Sequence, residues 1–157
     1  MSTNIYDRLK ELNIVLPPVP PQNVASYVMS VQTGNVVFVS GHIAKKDGAV
    51  WVGKLGDNIT TEEGKAAARS IGIDLINTLH AHTGDLNKIT RIVKLTGLVN
   101  STQTFTEHHL VINGCSNLLN EVFGKVGVHA RAAFGVAQIP LGSCVEIEMV
   151  VEVAASN

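Results

Sequence analysis

The stretch "VEIEMVVEV" (145–153) alternates strictly enough to leave few choices of conformation. Val145, Ile147, Met149, Val151 and Val153 fall on one face of an extended chain, and Glu146, Glu148, Val150 and Glu152 on the other. Such a strand needs cover on one side only, and the chain supplies it twice. Residues 62–82 carry Ala67, Ile71, Leu75 and Leu79 on one helical stripe, opened by the capping-box spacing of Thr60 and Glu63 and closed at Gly84. Residues 106–123, with Leu110, Val111, Leu118, Val122 and Phe123, predict a second long helix that ends at Gly124.

Other segments read as strands. "NVASYVMSV" (23–31) and "VVFVSG" (36–41) form a predicted hairpin about Gly34-Asn35, and "AVWVGK" (49–54) follows an Asp47-Gly48 turn as a third strand. The β-branched run "ITRIVKLTGLV" (89–99) is another. The resulting order, β-β-β-α-β-α-β-β, predicts an α+β fold in which one mixed sheet is covered on one face by two long helices. Ahead of it, residues 5–14 place Ile5, Leu9 and Leu12 at helical intervals. The four prolines of "LPPVPPQ" (16–22) then exclude helix and central strand, because they remove donors and fix φ. The expected division is a helix and proline-rich connector over 1–22, then a single domain over 23–157.

Composition narrows the function classes. Apolar residues are 45% and charged residues 16% of 157, and the net charge is -1 with no cluster of lysines or arginines. That composition offers no electrostatic footprint for nucleic acid. Cys115 and Cys144 lack metal-type spacing and predict buried thiols. His108-His109 are adjacent rather than i,i+4, and His80 and His82 have no carboxylate at ligand spacing, so no metal is expected. No apolar run approaches the ~18 residues of a membrane helix, and the N-terminus lacks an apolar signal core, so a soluble cytoplasmic protein is the expectation.

One basic residue stands out. In "HARAAFGVAQIPLGSCVEIEMVVEV" (129–153), Arg131 shares a strand face with Ala133, Gly135 and Ala137, against Ala132, Phe134 and Val136 on the other. If "IPLG" is a four-residue hairpin loop, Gln138 opposes Ser143, Gly135 opposes Glu146 and Ala133 opposes Glu148. Arg131 and the glutamates would then share the face away from the helices. Spacing alone leaves two readings open. One is a surface cross-strand ion pair worth ~0.2–1 kcal/mol. The other is a planar, permanently charged fork at a cleft floor that binds a carboxylate bidentately.

The runs "VVFVSGHI", "NGCSNLLNEVFG" and "HARAAFGVAQIPLGSCVEIEMVVEV" resemble the RidA/YjgF family, also labelled endoribonuclease L-PSP, over roughly residues 24–154. The fuller "GVHARAAFGV" wording and the N-terminal preface resemble a longer subgroup. The resemblance implies a chorismate-mutase-like fold and homotrimers with clefts between subunits. It also implies hydrolysis of reactive enamines and imines, such as 2-aminoacrylate, to 2-oxo acids and ammonia, without metal or organic cofactor. The chain would then be a 2-iminobutanoate/2-iminopropanoate deaminase-like hydrolase, with a small carboxylate-bearing imine or 2-oxo acid as its ligand.

By motif position, the family's carboxylate-binding arginine falls on Arg131 and its water-associated glutamate on Glu146. Its tyrosine falls on Tyr27, its strand-end serine and glycine on Ser40 and Gly41, and its helix asparagine, across a one-residue gap, on Asn113. The chain departs from the family where Ala133 replaces a common cysteine and His42 a common glutamine; His42 is expected to face solvent beside the cleft. On this reading the small neighbours of Arg131 make room for ligand and neighbouring subunit. The alternatives are a non-catalytic, small-carboxylate-binding or chaperone-like trimer, and an endoribonuclease or translation inhibitor. The last would want a basic groove or an aromatic platform, and the sequence suggests neither.

Overall fold

The computed structural model describes residues 3–24 and 26–155. Helix α1 (Ile5–Glu11) is capped by Asn4, whose side chain accepts from the Tyr6 amide, and it ends earlier than its apolar spacing predicts. Asn13 there adopts a left-handed conformation (φ 56°), and the Ile14 amide returns to the Leu9 carbonyl. The proline-rich connector is irregular, as four prolines require. Two short ribbons follow the predicted strand positions only partly. β1 (Asn23–Val24) pairs with β2 (Tyr27–Val28), and β3 (Ser30–Thr33) makes the expected hairpin with β4 (Val36–Ile43).

The predicted strand 49–54 is a correction. Only β6 (Ala49–Val50) is extended, and it pairs with β5 (Lys45–Lys46) outside the main sheet. The backbone of Trp51 instead stitches two strands together: its amide donates to the Ala44 carbonyl, and its carbonyl accepts from the Cys144 amide.

The two long helices form where the stripes place them. In α2 (Thr61–Thr83) the Thr60 side chain accepts from the Glu63 amide at 3.1 Å, and Gly84 closes the helix at φ 71°. Ala67, Ile71, Leu75 and Leu79 are wholly buried. Helix α3 (His108–Phe123) lies beside it, and both rest on one face of a five-stranded mixed sheet. With β7 (Ile89–Asn100), β8 (Ala130–Val136) and β9 (Val145–Val153), the sheet runs β3-β4-β9-β7-β8. The β7–β8 pair is parallel and the others antiparallel.

That order overturns the expected β8–β9 hairpin. β7 stands between the two strands, with Leu95 opposite Arg131 on one side and Met149 on the other. Residues directly opposite share a face, so Arg131, Ala133 and Gly135 lie on the helix side with Met149, Ile147 and Val145. Glu146, Glu148 and Glu152 lie on the other side. "IPLG" misled because it is not a tight loop. Ile139 is buried, Pro140–Gly142 makes a 3-10 turn with Leu141 at φ 61°, and the segment crosses the end of β7, where the Asn100 amide meets the Cys144 carbonyl.

The small row beside Arg131 is therefore explained by α3. A Cβ on Gly135 would sit 2.6 Å from His108 Nε2, and Ala133 packs against the core. The face away from the helices stays open and partly apolar, with Phe38 paired to Val31 and Val150, and Phe134 paired to Leu98.

Close approach of the two helices depends on Gly114, where an added Cβ would collide with the Lys65 carbonyl of α2. Backbone cannot step aside as a side-chain tip can. Gly114→Ala should destabilise the protein by ~1–3 kcal/mol, the usual range for overpacking, as measured by chemical denaturation. An unchanged midpoint would contradict this contact.

Candidate functional site

Arg131 projects from the sheet edge onto α3. Its Nη1 donates to Asn113 Oδ1 at 2.7 Å and to Ser116 Oγ at 3.2 Å, and Nη2 reaches the His109 carbonyl at 3.4 Å. Asn113 and Ser116 are three apart on one helix, so they share a face. Ser116 is itself held by His129. A carbonyl only accepts, so His129 Nδ1–H donates to Gly127 O at 2.6 Å, and in the neutral ring Nε2 accepts the Ser116 hydroxyl at 2.9 Å. This chain fixes the guanidinium plane.

Both hydrogens of Nη1 are thereby used. Nη2 spends one of its two hydrogens on the His109 carbonyl and Nε has no partner among the described residues, so each keeps an N–H with which to meet a carboxylate. Among the described residues no carboxylate forms an ion pair with Arg131. The cross-strand ion pair therefore does not form, and the glutamates that might have made it face the other way.

Glu146 lies on the open face, with Ile43 of β4 and Leu98 of β7 as its cross-strand neighbours. The β4–β9 register shifts between Val39 and His42, a bulge that includes Ser40 and Gly41. A Cβ on Gly41 would stand 2.7 Å from Glu146 Oε1, so the glycine leaves room for the carboxyl against the strand. Burial, and secondarily the charge of Glu148, raises the Glu146 pKa above its ordinary value. Ser40 donates its hydroxyl to the Val28 carbonyl at 2.6 Å, tying the bulge to β2. Tyr27 is 56% exposed and lines a cavity with Gly41.

His42 is another correction. It is 8% exposed, with Nδ1–H donating to the Ser40 carbonyl at 2.6 Å and Nε2 paired to Thr78 Oγ1 at 2.8 Å. Strand parity at the bulge turns it toward α2 rather than solvent, and burial lowers its pKa. Both cysteines are buried as expected. Burial pushes Cys115 up to about 12 and Cys144 up to about 11, so neither is a ready nucleophile. Among the described residues no three His, Cys, Asp or Glu side chains converge as metal ligands, and no helix is long and apolar enough to cross a membrane.

The six residues thus fall into two groups. Arg131 and Asn113 meet at the β8 edge, while Tyr27, Ser40, Gly41 and Glu146 gather around the bulge of β4. Three strand spacings, roughly 14 Å, separate β4 from β8. Sequence reasoning overlooked Ser116 and His129, although the i,i+3 relation of Asn113 and Ser116 was available as a signal.

The chain matches the family described as "YjgF/chorismate mutase-like, putative endoribonuclease" over residues 7–153. It belongs to that family. It is 43% identical over 155 residues to Protein TCP17 of Trypanosoma cruzi, covering 96% of this chain and 95% of that one. A crystal structure of an Agrobacterium tumefaciens protein of unknown function superposes with a TM-score of 0.87 at 39% identity, covering 96% and 94% of the two chains. The mouse 2-iminobutanoate/2-iminopropanoate deaminase is 28% identical over 130 residues, 83% of each chain. The α+β architecture is that of the family.

The raised pKa of Glu146 has a consequence for stability. The folded chain holds this proton to higher pH than the unfolded chain, so stability falls as pH climbs from the ordinary carboxyl value, about 4.3, through the folded value, and is level above it. Glu146→Gln should therefore raise the Tm at pH 7 and leave it unchanged near pH 4. A Tm lowered at pH 7 would show that the ionised carboxylate is stabilised, not strained.

Proposed function

We propose that this protein hydrolyses small 2-imino acids, and their enamine tautomers, to 2-oxo acids and ammonia. The observation that carries the reading is Arg131, a guanidinium held flat by Asn113 and Ser116, with no carboxylate partner among the described residues and an N–H left on each of Nε and Nη2. Membership of the family and the likeness to the mouse deaminase support it. The chemistry asks little of a protein, because a protonated C=N carbon is already electrophilic. Water adds to that carbon, the nitrogen takes up a proton, and collapse of the carbinolamine expels ammonia and leaves the ketone.

Arg131 would hold the substrate carboxylate, so that addition occurs in a fixed geometry. Glu146, with its elevated pKa, would orient the water and accept its proton. Tyr27 and the Ser40–Gly41 bulge would wall the site. These two groups lie on different strands and different faces of one chain, so a single copy does not present them to one small molecule. The open sheet face, with Phe38 49% and Phe134 45% exposed, suits burial against another copy. On this account three copies close into a ring, and Arg131 of one copy meets Glu146 of its neighbour.

Imines generated in situ from a panel of amino acids by an amino-acid oxidase, with semicarbazide as competitor, test the reading. The protein should divert imine from semicarbazone to free 2-oxo acid and ammonia, with a preference among side chains. Arg131→Ala should abolish this and weaken 2-oxobutyrate by ~2–5 kcal/mol in titration, the range for losing a buried charge pair. Equal affinities would remove the carboxylate role. Binding of 2-oxobutyrate without ammonia release would leave a small-carboxylate binder instead.

A further inference from the structure

Gly41 belongs to two surfaces at once. It lines a cavity of about 640 Å³ between α2 and the bulged end of β4, and a Cβ there would stand 2.7 Å from Glu146 Oε1. At this glycine no side chain intervenes between the Glu146 carboxyl and the cavity, and Tyr27 lines the same space. The volume is that of small-molecule sites, ~300–1,000 Å³, and is more than a methyl or ethyl group fills.

The apolar lining comes from three parts of the chain. Met29 lies between β2 and β3 and Ile43 ends β4, Ile73 projects from α2, and Pro17, Pro18 and Pro20 of the connector form a roof. That roof is held by the chain itself. Asn77 of α2 donates from Nδ2 to the Pro18 carbonyl at 3.2 Å, and the Met29 amide donates to the Gln22 carbonyl at 2.9 Å. Upstream, α1 is anchored through Tyr6, whose hydroxyl accepts from the Leu86 amide at 2.9 Å and pairs with His80 Nδ1 at 2.8 Å. Proline φ is fixed in advance, so seating a ligand under this strap orders little new backbone. Among the polar lining residues, both ring nitrogens of His42 are engaged within the chain, and Lys45 is exposed to water. The cavity therefore offers a ligand mainly apolar contact.

We infer that this cavity receives the side chain of the 2-imino acid, so that the protein takes imines with large apolar side chains, branched or aromatic, ahead of 2-iminopropanoate. The inference rests on the imine reading for the position of the reacting carbon. With the carboxylate drawn to Arg131 of the neighbouring copy and the imine carbon beside Glu146, the side chain is directed over Gly41 and under the prolines. The connector is then a specificity element, setting which side chains the site accepts.

Calorimetric titration of the full chain with 2-oxopropanoate, 4-methyl-2-oxopentanoate and 2-oxo-4-phenylbutanoate reads the subsite, and ammonia release from the matching imines reads the hydrolysis. The two larger acids should bind about tenfold or more tighter than 2-oxopropanoate, the discrimination that an apolar pocket gives for added carbon. Arg131→Ala should weaken all three, because they share the carboxylate. Ile73→Trp, which fills the cavity, should weaken the phenyl acid about tenfold more than 2-oxopropanoate. The comparison of the three acids on the unmodified protein is decisive even if a variant folds poorly. Equal affinities, or a phenyl acid that keeps its affinity in Arg131→Ala, would overturn the subsite. A preference for the larger acids without ammonia release would keep the subsite and remove the hydrolysis, and ammonia release without a preference would do the reverse.

Discussion

Leu95 pairs with Arg131 on one side and with Met149 on the other, so β7 stands between the arginine strand and the glutamate strand. The position of every candidate residue follows from that arrangement. Because β8 runs parallel to β7 at the sheet edge, Arg131 is turned toward α3 and finds Asn113 and Ser116. Because β9 pairs with β7 from the other side, Glu146 is turned away from the helices and toward the bulge of β4. The row of small residues is shaped by the same helix. Gly135 lies against His108 and Gly97 against Ile112, which lets α3 come down on the sheet close enough to support the guanidinium.

Neither group is comfortable by itself. Arg131 is half-buried with part of its fork unpaired, and Glu146 is half-buried beside another carboxylate. A chain selected only for stability would pair such charges or replace them. Their persistence, one on each face of the same sheet, fits a protein whose charges are matched by a ligand and by another copy of itself. The partly apolar open face points the same way, since burying Phe38 and Phe134 would bring a second copy across the glutamates.

Much of this fold was legible in the sequence because its signals are local. The alternation of 145–153 fixed the two faces of β9, the stripes fixed α2 and α3, and Thr60 with Gly84 marked the ends of α2. What was not legible is non-local. Nothing within "ARAAFGV" says which strand it will pair with or in which direction, and "IPLG" carries turn residues whether or not the chain turns back at once. A one-strand error in neighbour moved Arg131 to the wrong face. His42 was misplaced for a related reason: the bulge at Ser40–Gly41 shifts parity, and a bulge has no reliable local signature. The Asn113–Arg131 contact entered only through the family resemblance, and geometry then supplied Ser116 and His129 behind it.

The most direct measurement is a crystal structure of the assembled protein with 2-oxobutyrate bound. The account predicts a closed ring of three copies, with the ligand carboxylate on the Nε–Nη2 edge of Arg131 and its keto carbon facing Glu146 and Tyr27 of the adjacent copy. A ligand seated away from Arg131, or an assembly in which no copy brings Glu146 toward its neighbour's Arg131, would contradict it.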